Sequence, residues 1–276
     1  MAIDVRWGSA SHQGRVRNHN EDALLAGPDV FAVADGMGGH AGGEVASALA
    51  VSRLAALDGL LGTADPEAAV TGALADANEA ILRRARADGR LAGMGTTVAG
   101  IARTSWRAVV LFHLGDTRVY RQRKGELRQL TEDHSVVGEL LRAGTITEDE
   151  ARRHPHRSVV TRALGVGPVI EPVVTTLEVA VGDCFLIASD GLFNEVPADR
   201  IAEVLASPGT VEQRARTLLD AALAAGGRDN VSVIVVATAG TSGGDGLDVD
   251  TSPSRPAVRH TAPAAHAAAP STLRPA

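Results

Sequence analysis

The stretch that decides the fold runs from residue 97 to residue 130, TVAGIARTSWRAVVLFHLGDTRVYRQRKGELRQL. Two apolar runs, 97–102 and 107–114, follow each other with almost no gap and read as an antiparallel hairpin. Two shorter runs, 118–123 and 126–130, flank Lys124-Gly125 and form a second hairpin on a two-residue turn. Further strands are expected at 5–11, 30–34, 172–180, 184–189 and 230–238. Helical periodicity covers 44–57, with Val45, Ala48, Leu49, Ser52 and Ala56 on one face. It also covers 66–87, with Val70, Ala73, Leu74, Ala77, Ile81 and Ala85 aligned and Pro66 in the first turn. A helix pair at 200–205 and 211–225 precedes the last strand. Strands therefore come in adjacent groups and not in β-α-β alternation. The expected class is α+β, with two antiparallel sheets packed together and helix pairs outside them.

Composition narrows the function. Of 276 residues 45% are apolar but only 3% aromatic, so the core is built largely from Val, Leu, Ile and Ala. The single cysteine, Cys184, excludes a disulfide framework and, without a C-x-x-C, a thiolate zinc site. It lies in an apolar run and reads as core. Lys124 is the only lysine, which removes every P-loop. A net charge of −6 argues against a nucleic-acid partner. No signal-peptide pattern and no apolar run of roughly 18 residues is seen, so a cytoplasmic protein without a membrane span is expected.

Near residue 239 the composition turns to Gly, Ser, Thr, Pro and Ala, which predicts one domain over 1–239 and a disordered tail over 240–276. Residues 131–165 contain no strand pattern. They hold a short helix at 135–142 ended by Gly144, then a Thr147…Glu150 capping box and a helix stopped near Pro155. This segment should project from the sheets as a helical flap.

Four apolar strands carry an aspartate at one end: Asp35, Asp116, Asp190 and Asp229. Any one of these could simply make a turn. Four together suggest converging carboxylates, which raise each other's pKa unless a cation neutralises them. Oxygen ligands without thiolates suit Mg²⁺ or Mn²⁺ better than zinc. The run Arg17-Asn18-His19-Asn20-Glu21-Asp22 reads as a polar loop between strands, or as two more carboxylates and an arginine able to grip a phosphate. A rival reading comes from residues 36–41, which fit the dinucleotide fingerprint G-x-G-x-x-A with Asp58 about 20 residues on. Against it, the following helix leads to another helix before any strand.

Taken in order, Arg17-x-x-Asn20-Glu21-Asp22, Asp35-Gly36-Met37-Gly38-Gly39-His40, Gly95-Thr96-Thr97, Gly115-Asp116-Thr117-Arg118, Ser189-Asp190-Gly191 and Asp229-Asn230 resemble the PPM (PP2C-type) metal-dependent serine/threonine phosphatases, in their bacterial branch. The resemblance covers about 5–238 and implies a four-layer α-β-β-α sandwich with a metal centre at one edge. It implies a centre of two Mn²⁺ or Mg²⁺ ions. Asp35 would bridge them, with the Gly36 carbonyl, Asp190 and Asp229 as further ligands and Glu21 and Asp22 acting through water. Asp116, with Asp190, would hold a third, weaker ion. Such a centre makes hydroxide at neutral pH for in-line attack on a phosphate. Arg17 would clamp the phosphate and His40 would protonate the leaving alkoxide. The implied partners are phosphorylated proteins, Ser/Thr kinases among them, met by a monomer. Thr117 replaces the family's usual Ser, and Ser158 replaces a frequent Asn in the flap. His113 is expected to be a satisfied core residue. His134, His154 and His156 lie in a flap made basic by Arg152, Arg153 and Arg157, read either as a solvated helix end or as a receiver of phosphorylated segments.

Overall fold

Successive side chains of a strand point to opposite faces, so one continuous apolar run can serve two cores at once. The computed structural model, which describes residues 3–38, 42–59, 65–105 and 107–240, is built on that property. In chain order it forms β1 (Ile3–His12), β2 (Asp22–Ala26), β3 (Val30–Met37), α1 (Gly42–Leu54), α2 (Pro66–Ala87), β4 (Gly95–Thr96), β5 (Val98–Ser105) and β6 (Ala108–Leu114). There follow β7 (Arg118–Arg123), β8 (Glu126–Gln129), α3 (Val136–Arg142), α4 (Glu148–Arg153), β9 (Val173–Glu178), β10 (Cys184–Ala188), α5 (Asp190–Phe193), α6 (Ala198–Ala206), α7 (Val211–Ala225) and β11 (Val231–Gly240). One sheet has the order β1-β11-β10-β7-β8 and the other β2-β3-β5-β6-β9, with β4 joined to β3. All of these pairings are antiparallel.

Three apolar layers result. Phe31 and Val33 of β3, Leu111 of β6, Phe185 and Ile187 of β10, and Ile234 and Val236 of β11 meet between the sheets. The alternate residues of the same strands face outward. Ala32, Ala34, Val110 and Phe112 pack under α1 and α2, against Leu54, Leu74 and Ile81. Leu186, Ala188, Val233 and Val235 pack under α6 and α7, against Ile201 and Leu218. This is the expected α+β sandwich, with the expected hairpins in place. Lys124 (φ 53°) and Gly125 (φ 84°) both take positive φ, the requirement of the tight turn between β7 and β8.

The structure corrects several expectations. The buried face of α1 is Ala46, Ser47, Ala50, Val51 and Leu54, whereas Val45 and Leu49 are only partly buried. An alanine-rich helix has too little contrast between its sides for periodicity to choose the face. The strands β2 and β4 were not among those expected; β2 begins inside a polar motif and β4 has only two residues. The strand expected at 30–34 continues through Asp35 and Gly36. A dinucleotide unit needs parallel strands around its helix, and β3 has only antiparallel neighbours. Asp58 instead accepts backbone N–H bonds from Asp29 (3.2 Å) and Val30 (3.0 Å). The flap expected over 131–165 contains α3, capped by Ser135, and α4, which has the Thr147–Glu150 capping box. Of the tail expected over 240–276, Gly240 ends β11 and the rest lies outside the described residues, as do Gly39, His40 and Ala41. No helix among the described residues is long and apolar enough to cross a membrane.

Ile187 is fully buried between the sheets, while Val169 is 80% exposed. Urea unfolding should show Ile187→Ala losing about 2–5 kcal/mol and Val169→Ala changing stability by less than about 0.5 kcal/mol.

Candidate metal centre

Asp22 and Asp35 stand opposite each other in the β2–β3 ladder. Opposed residues share a face, and the alternation that sends Phe31 and Val33 between the sheets sends Asp35 there too. Both carboxylates therefore sit at one end of the inter-sheet layer. The second sheet brings Asp190 in the first turn of α5, directly after β10, and Asp229 just before β11. Asp116 follows β6 across Gly115.

Backbone and hydroxyl contacts hold this arrangement. The Asp35 carbonyl accepts from the Thr97 N–H (2.9 Å) and the Thr96 hydroxyl (2.8 Å). Gly36 is packed so closely that a Cβ there would collide with the Gly43 carbonyl at the start of α1. The Glu21 carbonyl accepts from the Gly36 N–H (3.1 Å) and the Ser47 hydroxyl (2.6 Å). Ser189 Oγ donates to Asp22 Oδ2 at 2.8 Å and accepts from the Ser232 N–H at 2.9 Å, a link between the two sheets. Arg17 Nη2 donates to Asp229 Oδ2 at 2.8 Å. The motifs contained these threonines and Ser189, but residue type alone does not say which backbone carbonyl or carboxylate a hydroxyl reaches.

The acids perturb one another. Burial pushes the Asp35 carboxyl well above the usual range, and Asp22, Asp190, Asp116 and Asp229 push it further. Asp190 is raised to about 8 by burial and then by Asp116, Asp229 and Asp22. Burial also raises Asp22, to about 6, against the stabilising side-chain hydroxyls of Ser232 and Ser189. Asp116 is raised to about 6 by burial and by Asp133. Glu21 is raised by burial and held back by Arg17. One oxygen, Asp22 Oδ1, is buried without any hydrogen-bond partner.

Among the described residues no three His, Cys, Asp or Glu side chains close into a single metal cage. The carboxylates act on one another through space, with Arg17 as the cation bonded to Asp229. The chemistry of the donor set still fits a hard divalent ion. It offers oxygen ligands, a buried carboxylate atom lacking a partner, and several acids whose ionisation a cation would favour.

The histidines differ from expectation. His113 is buried, but only Nε2 is bonded, to the Glu132 carbonyl at 2.9 Å, while Nδ1 has no partner. His134 is no solvated helix end. It is buried, stacks on His113 with ring centroids 4.6 Å apart, and accepts at Nδ1 from the Gly115 N–H (3.2 Å). Burial lowers it to about 4. In the flap, Arg152 lies within 3.5 Å of Glu148 and 3.4 Å of Asp149 on its own helix, so its charge is answered locally.

Comparison with known proteins agrees with this geometry. A family model described as protein phosphatase 2C matches residues 10–225. The serine/threonine protein phosphatase PstP of Mycobacterium tuberculosis is 42% identical over 235 residues, covering 85% of this chain and 45% of that protein. This chain thus spans under half the length of that relative. The Stp phosphatase of Listeria monocytogenes is 39% identical over 234 residues, covering 81% of this chain and 92% of that protein. A crystal structure of M. tuberculosis PstP/Ppp superimposes with a TM-score of 0.81 at 42% identity, covering 84% of this chain and 98% of that one. A structure of the PstP catalytic domain in complex with two manganese ions gives 0.81 at 39% identity, over 86% and 100%. The aspartate-bearing sandwich and the family match over 10–225 together place this chain in the protein phosphatase 2C family.

Proposed function

We propose that this chain is a protein serine/threonine phosphatase that hydrolyses phosphoserine and phosphothreonine by direct attack of water at a centre of two Mn²⁺ or Mg²⁺ ions. The observation that carries this reading is the gathering of Asp22, Asp35, Asp190 and Asp229 at the end of the inter-sheet layer, with one buried carboxylate oxygen unpartnered. Asp35, the Gly36 carbonyl, Asp190 and Asp229 would hold the two ions, Glu21 and Asp22 would act through water, and Asp116 with Asp190 would hold a third. When bound, the ions make hydroxide available at neutral pH and offset charge on the phosphate oxygens. Arg17, at the rim beside Asp229, takes the phosphate through its guanidinium fork. His40, two residues before Gly42 in the sequence, donates the proton that a serine or threonine alkoxide needs to leave. On this reading the folded domain ends near 239 and works as a cytoplasmic monomer on phosphorylated proteins, in opposition to Ser/Thr kinases.

Hydrolysis of p-nitrophenyl phosphate should require added Mn²⁺ or Mg²⁺ and stop in EDTA. Asp229→Asn should lower kcat/KM by at least about 100-fold. Metal-independent turnover would contradict the reading. The leaving group separates the role of His40. His40→Ala should reduce kcat on a phosphothreonine peptide by about 100-fold or more, but reduce it far less on p-nitrophenyl phosphate, whose leaving group needs no proton.

The raised carboxyl pKa values also fix a stability trend. In the unfolded chain these aspartates ionise near pH 4, whereas Asp190 in the folded state ionises near 8. Between those values the folded protein binds more protons than the unfolded one, so its stability falls as pH rises. Urea midpoints measured in EDTA should decline from pH 5 to pH 8, and Asp190→Asn should flatten that decline.

A further inference from the structure

The segment carrying Arg17 and Glu21 is poorly equipped to hold itself in place. Residues 13–21, QGRVRNHNE, connect β1 to β2, and their only large apolar side chain, Val16, is 66% exposed. The loop is instead tied to the head of β11. Asn230 is buried, and its side-chain amide makes three hydrogen bonds of 2.8 Å. Nδ2 donates to the Gln13 carbonyl and to the His19 carbonyl, and Oδ1 accepts from the Glu21 N–H. One side chain thereby laces both legs of the loop together. Nearby, the Arg15 N–H donates to the Gly227 carbonyl at 2.7 Å, and Arg17 reaches Asp229.

We propose that Asn230 is the positioning residue of this loop, setting where Arg17 and Glu21 stand relative to Asp229 and so where the phosphate is gripped. This rests on the phosphatase reading above. The chemistry required is specific to an amide. Two carbonyl oxygens face one end of the side chain and an N–H faces the other, so the residue there must donate twice and accept once. Aspartate has the same shape but turns an oxygen toward both carbonyls and adds a buried charge beside Asp229. Alanine removes the ties without adding repulsion. Asn230→Asp should therefore disturb the loop more than Asn230→Ala, although it removes fewer atoms.

Trypsin cuts after arginine, so Arg15 and Arg17 report directly on the loop. In the full chain, mass-resolved cleavage at these two sites should accelerate by about tenfold or more in Asn230→Asp and less in Asn230→Ala. Cleavage at Arg83, on the exposed side of α2, should keep its wild-type rate. With a phosphothreonine peptide, KM should rise by about tenfold with a smaller change in kcat. Wild-type cleavage rates at Arg15 and Arg17 in both variants would overturn the proposal. So would equal acceleration at Arg83, which marks general loosening, or a loop released without any rise in KM. If the wild type hydrolysed no phosphoester, the phosphatase reading would fall, and the cleavage contrast would decide the part played by Asn230 on its own.

Discussion

Asp22 and Asp35 occupy opposed positions on neighbouring strands, where two like charges destabilise a sheet. Asp190 and Asp229 arrive from the facing sheet and add to the same field. A fold that draws acids together in a partly buried layer must hold them there by force from elsewhere. Here that force is the apolar packing directly behind them, Phe31, Val33, Phe185, Ile187 and Ile234, all essentially removed from solvent. Burying each such side chain is worth roughly 1.5–3 kcal/mol, so the inter-sheet layer offsets the repulsion at its own end. Asp35 is kept in place because the residues two and four positions back along its strand, Val33 and Phe31, are oil.

The period of two makes this economical. Odd-numbered residues of β3 pass from Phe31 through Val33 to Asp35 on one face, while Val30, Ala32 and Ala34 build a separate core under α1 and α2. The change from apolar to acidic along one face of one strand marks where the core ends and the chemistry begins. A slip of one residue in β3 would turn Asp35 into the helical core and leave Ala34 facing the other acids. Register and donor set are therefore the same property in this molecule. The hydroxyls of Thr96 and Ser189 and the close approach of Gly36 to Gly43 fix that register at the end where side-chain packing gives out.

Much of this was legible in the sequence. Adjacent apolar runs around Lys124-Gly125 and across 97–114 read as hairpins, and α2 and α7 begin and end at the expected residues because Pro66 and strong periodicity mark them. The aspartates were legible for the same reason: an acid at the end of an apolar run is conspicuous. Legibility failed where contrast failed. In α1 alanine fills both sides, so the buried stripe could not be told from its neighbour. β2 was hidden because its first residue, Asp22, belongs to a polar motif, and β4 is too short to show a period. The burial of His134 was invisible because its contacts are with His113 and Gly115, roughly twenty residues away. Local pattern does not report such pairings.

The bond from Ser189 to Asp22 crosses from one sheet to the other at the same level as the acids. Carboxylates drawn from two sheets have a spacing set by the gap between those sheets, so the inter-sheet core works as a caliper. Drift under α6 and α7 reaches the jaws only through β10 and β11, whereas α1 touches them directly through Gly43 and Ser47. Drift between the sheets resets them. A change of side-chain volume in the inner core, even at a position far from any charge, therefore acts on the spacing of the carboxylates.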